Sequence, residues 1–164
     1  MALLQYVVGA QCTYSFNEFD EFTKAYRVRA ETKVSLNSTE RVFWRPTRVD
    51  DTYYLAVEYA NARETYVVGT SDALMLMLDN GEVLKLYPDN IYTSDVRSAS
   101  QYGVYYTLSV RYDATRADFE KLAIQKVLKY RVYSTDVYRE YDVSGKGKPD
   151  KLQTVVRCVL QAKP

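Results

Sequence analysis

Glu58, Glu64 and Glu82 are carboxylates that could be imagined as a catalytic pair in a chain that contains no histidine. Without imidazole, a Ser-His-Asp triad, a Cys-His pair and histidine general catalysis are excluded for the chain acting alone. What remains is a pair of opposed carboxylates, which a glycosidase sets roughly 5 to 9.5 Å apart. No motif selects such a pair here, so a carboxylate-dependent hydrolase acting on glycans is the alternative reading and not the leading one. NEFDEF (17–22) clusters Glu18, Asp20 and Glu21, but the alternating ligands, turn glycine and distal glutamate of a calcium loop are missing. GKGK (145–148) lacks the spacing of a phosphate-binding loop and reads as a solvated connection. Two distant cysteines, Cys12 and Cys158, make no thiolate cage for zinc. No catalytic residue, metal ligand or cofactor is expected.

Binding is the stronger prospect. Seventeen tyrosines stand against 5 Phe and 1 Trp, and a tyrosine packs its ring on a sheet while its hydroxyl reaches water. In QYGVYYTLSVRY (101–112) the alternation puts Tyr102, Val104, Tyr106, Leu108, Val110 and Tyr112 on one face, which reads as core. Tyr105 and Arg111 fall on the other face. If that face lies near Arg45, Tyr54 and Glu58, the five residues form the aromatic–arginine surface that protein interfaces favour and that also stacks on sugar rings. The leading expectation is therefore a non-catalytic binding or protein-interaction module for a protein or carbohydrate ligand. A structural subunit burying apolar strand faces in a homo-oligomer is the third reading.

The elements that must position those residues are mostly strands. AYRVRAETKVSL (25–36) alternates, with Tyr26, Val28, Ala30, Thr32, Val34 and Leu36 on one face. RVFWRPTRVDDTYYLAVEYA (41–60) reads as a hairpin turning at Asp50–Asp51, which sets Trp44 opposite Val57 and Val42 opposite Tyr59. Tyr53 and Leu55 share that inward face. Pro46 donates no ladder hydrogen bond and so predicts an edge position for the first strand. In LMLMLDNGEVLKLY (74–87), Asn80–Gly81 predicts a two-residue type I′ turn pairing Leu78 with Val83, Met77 with Leu84 and Met75 with Leu86. Both faces of that hairpin then look apolar and call for cover on both sides, naturally by a helix. The period changes at DATRADFEKLAIQK (113–126), where Thr115 and Asp118 form a capping box and Phe119, Leu122 and Ala123 a stripe. Strands return at 127–134 and 137–143. A last helix over 150–162 follows from Leu152, Val155, Val156, Val159 and Leu160, with Pro149 near its first turn. A strand reading of the same stretch is the weaker one.

A chain of 164 residues is long enough to bury a core without staples. Its 22 basic and 21 acidic residues leave a formal charge of +1, without the cationic footprint of a nucleic-acid binder. No stretch is apolar for long enough to span a membrane as a helix. The opening MALLQYVVGAQC lacks the basic start and sustained apolar run of a leader, so the default expectation is the cytoplasm, with the periplasm or cell envelope if a leader has been removed. Cys12 and Cys158 read more simply as two separate, half-buried thiols than as a bonded pair, although spacing alone does not decide between them.

From about Asp20 onward, DEFTKAYRVRAETKV, RVDDTYYLAVEYA, LMLMLDNGEVLKLY and YTLSVRYDATRADFEKLAIQKVLKYRVYST resemble a group of small, β-rich proteins of gut Bacteroidetes whose function is unknown. The resemblance is structural and implies no functional residues. Members of that group often carry export or lipoprotein signals, which implies an envelope location. The fold expected is α+β and mostly β, an antiparallel sheet or β-sandwich of about seven to nine strands with two helices, at 115–126 and 150–162, in a single domain.

Overall fold

Alternation along the chain becomes thirteen strands and two helices among the described residues, which in this computed structural model are 12–35, 41–135, 137–145 and 149–163. Leu36, residues 1–11 of the opening stretch and Lys146, Gly147 and Lys148 of GKGK lie outside them. The strands are β1 (Tyr14–Asp20), β2 (Ala25–Ala30), β3 (Thr32–Ser35), β4 (Arg41–Val49), β5 (Thr52–Ala62), β6 (Val67–Val68) and β7 (Leu74–Leu78). They continue as β8 (Val83–Pro88), β9 (Tyr92–Thr93), β10 (Asp95–Ser100), β11 (Gly103–Ala114), β12 (Val127–Ser134) and β13 (Val137–Asp142). Helix α1 spans Arg116–Ile124 and α2 spans Pro149–Gln161.

Nine strands form one antiparallel path, β1-β2-β4-β5-β11-β8-β7-β12-β13, with β3 beside β4 and β10 beside β11. Among the described residues its two halves join where Tyr112 and Asp113 of β11 pair with Pro88 and Tyr87 of β8, and the Asp89 N–H donates to the Arg111 carbonyl beside them. At that narrow seam the sheet folds back on itself, and Trp44 of β4 meets Tyr130 of β12 edge to face, ring centroids 5.0 Å apart. The fold is thus α+β and mostly β, as the alternation predicts, with one contiguous buried core.

The β4–β5 hairpin has the expected register. Val49 pairs with Thr52 across Asp50–Asp51, Trp44 with Val57 and Val42 with Tyr59. Tyr53 and Leu55 are buried. Pro46, however, is not on an edge strand, because β4 is flanked on its other side by β2 and β3. β2 pairs with Arg48 and its neighbours and β3 with Arg41 through Trp44. Pro46 stands in the gap between these pairings, where no N–H is required.

The second hairpin corrects the sequence reading by one residue. Met77 pairs with Val83 and Leu76 with Leu84. The Gly81 N–H donates to the Leu78 carbonyl, the Leu78 N–H donates to the Glu82 carbonyl, and Gly81 alone takes a positive φ, +85°. This is a three-residue turn closed by a glycine bulge, not a two-residue type I′ turn. A one-residue slip exchanges faces. Leu74, Leu76, Leu78, Leu84 and Leu86 all face the core, while Met77 and Val83 are exposed and no helix covers them. The β10–β11 ribbon gives a similar correction. Leu108, Val110 and Tyr112 are core, but past an irregularity at Tyr106/Thr107 the ribbon projects, and Tyr102 is 79% exposed.

Both helices form where expected. Thr115 accepts from the Asp118 N–H, Asp118 accepts from the Thr115 N–H, and Phe119, Leu122 and Ala123 are buried. Helix α2 packs against α1, β2, β3, β4 and β12. Its Gln153 and Arg157 donate to the carbonyls of Ile124 and Ala123, which satisfies groups left open at the end of α1. Cys12 and Cys158 are bonded, with Cα atoms 5.6 Å apart, so the separate-thiol expectation is wrong. The reason is tertiary: β1 lies along β2 and α2 packs on β2, which brings Cys12 and Cys158 together. No helix among the described residues is long and apolar enough to cross a membrane.

Candidate functional site

The outer face of the first half-sheet holds most of the surface anticipated from the sequence. Cross-strand pairing lines up Phe16, Arg29, Thr47, Tyr54, Asp113 and Tyr87 in one row over six strands. In the next row Arg45 and Arg111 flank Ala56, and Glu58 lies between Phe43 and Ser109 beyond them. Arg45, Tyr54, Glu58 and Arg111 are therefore neighbours. Tyr105 is not among them: it lies beyond the strand irregularity, on the projecting ribbon, where Arg63 sits over its ring.

This face is already satisfied by its own groups. Arg45 donates to Glu58 at 2.5 Å and also to Glu31. Burial works against its charge, but these two hydrogen bonds outweigh that effect and raise its pKa. Arg111 stacks on Tyr54 at 4.1 Å and pairs with Asp89 at 3.2 Å. Arg29 donates to Thr47 and to the Tyr54 hydroxyl. The result is a flat lattice whose charges and rings answer one another.

The concave site lies elsewhere, inside the fold. Helices α1 and α2 pack against the folded sheet around Phe119, Leu122, Leu152 and Val156. Elsewhere the inner faces of β4, β5 and β11 diverge from those of β12 and β13, leaving an open cleft of about 40 Å³. Small-molecule sites are commonly larger, roughly 300 to 1,000 Å³, so this cleft holds part of a ligand and leaves the rest at its mouth. Val42, Ala60, Leu108 and Val132 give it an apolar floor. Tyr66 and Tyr141 wall it, and Arg41, Ser134 and Arg139 supply polar groups.

Tertiary contacts set the chemistry of these walls. Arg139 pairs with Glu64, which reaches in from the rim, and packs over the Tyr66 ring at 5.1 Å. Burial raises the Tyr66 pKa; Arg139 opposes the shift and Glu64 adds to it. Tyr141 stacks on Tyr130 at 4.8 Å, and Tyr130 touches Trp44, so the cleft wall is linked by contact to the single tryptophan. Tyr59, itself a cleft-lining residue, lies beside the buried Tyr112, and burial raises both of their pKa values.

The three carboxylates of the hydrolase reading stand on separate surfaces, each held by a cation. Glu58 is on the outer lattice with Arg45, Glu64 is at the cleft rim with Arg139, and Glu82 is in a hairpin turn with Lys121. Among the described residues no group of three or more Cys, Asp or Glu is placed to hold a metal ion.

Sequence reasoning did not find the cleft. One signal was available: β13 carries Val137, Arg139 and Tyr141 at one parity, a cation on the side that faces the cleft. Reading it requires knowing that β13 faces β4 and β5, and no local pattern states that. Comparison with protein-family models, with curated proteins and with solved structures finds no match. The class assigned here, a folded antiparallel sheet closed by two helices with an open apolar cleft, therefore rests on the structure alone.

Proposed function

We propose that this protein is a binding module and that its ligand seats in the cleft between β4–β5–β11 and β12–β13. The observation that carries this reading is an apolar, tyrosine-walled concavity in a fold whose flat outer face has paired its own charges. A concave apolar site with a few convergent polar groups is the usual form of a small-molecule pocket. The described cleft-lining residues include neither histidine nor carboxylate, so binding is better supported than acid–base catalysis.

The test uses N-phenyl-naphthylamine, a neutral dye that brightens in apolar sites. Saturable binding with a stoichiometry of one per chain is expected. Ser134→Trp, which fills the cleft from a half-buried rim position, is expected to weaken binding at least roughly tenfold, since the dye loses its apolar contacts, with little change in melting temperature. Dye uptake that does not saturate, or that Ser134→Trp leaves unchanged, removes the cleft as the site.

A further inference from the structure

We propose that two copies of this chain pair through β10, edge to edge about a two-fold axis that passes beside Val96. The β10–β11 ribbon stands out from the body along its whole length. Residues 95–104 are all exposed, with Val96 at 63% and Tyr102 at 79%. Cross-strand pairing sets Val96 opposite Tyr106 and Ala99 opposite Val104, so these four share one face. Along β11 the same parity leads to Leu108, Val110 and Tyr112, which are buried. The ribbon therefore carries the core-facing stripe of β11 out of the body and into water. A two-stranded ribbon is marginal by itself; a third strand on its apolar face, or a packed body behind it, is what makes such a unit stable. Among the described residues β10 pairs with β11 and with no other strand.

A second copy is the partner whose chemistry this edge fits. An antiparallel pair of identical strands is two-fold symmetric, so each contact between two different positions occurs twice. Centred on Val96, the register sets Val96 opposite the second copy's Val96 and Asp95 opposite the second copy's Arg97, with the same ion pair repeated across the axis. Asp95 and Arg97 are the only charged residues between Tyr92 and Thr107. The edge thus answers its own charges and offers a strongly charged partner no net field. The union is one four-stranded sheet, β11-β10-β10-β11, with Val96 and Tyr106 of both copies on a single apolar face. The register shift between Val96 and Ser98 keeps the shared ladder short, as irregular edges do, so the dimer is a weak one. Each copy spends its β10 edge in the pairing, and assembly stops at two.

Sedimentation equilibrium of the intact chain, from micromolar to millimolar concentration, tests this. A monomer–dimer equilibrium without higher species is expected. Arg97→Asp sets like charges opposite each other on both sides of the axis and is expected to weaken the dimer at least roughly tenfold. Asp95→Arg combined with Arg97→Asp exchanges the charges and is expected to restore it. Val96→Lys brings two cations together at the axis and is expected to leave a monomer. All three positions are exposed, so the melting temperature of the dilute, monomeric variants should match that of the parent chain. A chain that stays monomeric at millimolar concentration overturns the proposal. A dimer that Arg97→Asp or Val96→Lys leaves intact overturns it as well, since the copies then meet through another surface. Failure of the exchanged pair to regain what Arg97→Asp lost also overturns it, because the Asp95–Arg97 register is then wrong.

Discussion

The outer lattice of β2, β4, β5 and β11 and the cleft behind it share the same strands and present opposite chemistry. Outside, Arg45 lies between Glu31 and Glu58, and Arg111 lies on Tyr54 beside Asp89. Inside, Val42, Ala60, Leu108 and Val132 form an apolar floor between Tyr66 and Tyr141. A surface rich in arginine and tyrosine is therefore not a binding site by composition alone. What matters is whether its groups have already found partners, and whether the surface is concave enough to take a ligand out of water.

The largest way to break this contrast is to unlatch the fold behind the cleft. The Cys12–Cys158 bond spans 146 residues, and replacing both cysteines by serine is expected to cost up to about 5 kcal/mol on chain-entropy grounds. Urea melts with and without reductant measure this; an unchanged midpoint would mean that α2 holds its place without the bond. Next in size is Trp44→Ala, which removes the ring between the two half-sheets and is expected to cost about 3–5 kcal/mol. Dye binding should weaken as well, because Tyr130 and Tyr141 lose their backing. Arg45→Gln with Glu58→Gln tests the outer face. A loss below about 1 kcal/mol is expected, as for partly exposed pairs, with no change in dye affinity. Replacing Arg45, Tyr54 and Tyr105 together should likewise leave the cleft's ligand bound. Loss of capture in that variant would return the outer face to consideration.

Titration separates exterior from interior. Hydrogen bonds from Thr23 and Phe22 lower the Asp20 pKa, Lys121 lowers that of Glu82 and Arg131 that of Glu140. A carboxylate lowered in the folded state contributes stability above its unfolded pKa and loses it as pH falls through the folded value. Melting temperature should therefore drop below about pH 4. The interior tyrosines act at the other end. Burial, with help from Asp89, raises the Tyr92 pKa to about 12, and burial raises those of Tyr59, Tyr66 and Tyr112. For these groups the stability is complete below the unfolded value near 10 and is lost as pH climbs through the folded values. Between these limits, with no histidine to titrate, melting temperature should vary little from about pH 6 to 9. A titration step in that window would be the smallest and most informative departure.

The two hairpins show why some of this was legible in advance. Asp50–Asp51 closes a two-residue turn, so counting outward reached Trp44–Val57 correctly. Asn80–Gly81 is compatible with either a two-residue turn or a three-residue turn with a glycine bulge, and the molecule uses the second. That single residue moved five leucines to one face and left Met77 and Val83 outside. For the outer surface, the sequence grouped Arg45, Tyr54, Glu58 and Arg111 by parity, and pairing of β5 with β11 makes them neighbours. It carried no sign that Tyr105 would leave the group, because the irregularity at Tyr106/Thr107 comes from strand pairing.

What the sequence settled by itself is whatever depends on a few neighbouring residues: which positions alternate inward, where Thr115 starts a helix, and that imidazole chemistry is absent. Side-chain parity and capping are local stereochemistry, so a short window contains the whole cause. Tertiary structure alone decided that the sheet folds at its Tyr112–Pro88 seam, that Cys12 reaches Cys158, and that Arg41 and Arg139 border one cavity. Those outcomes depend on contacts between segments tens of residues apart, and they exist only once the two half-sheets close on a shared core.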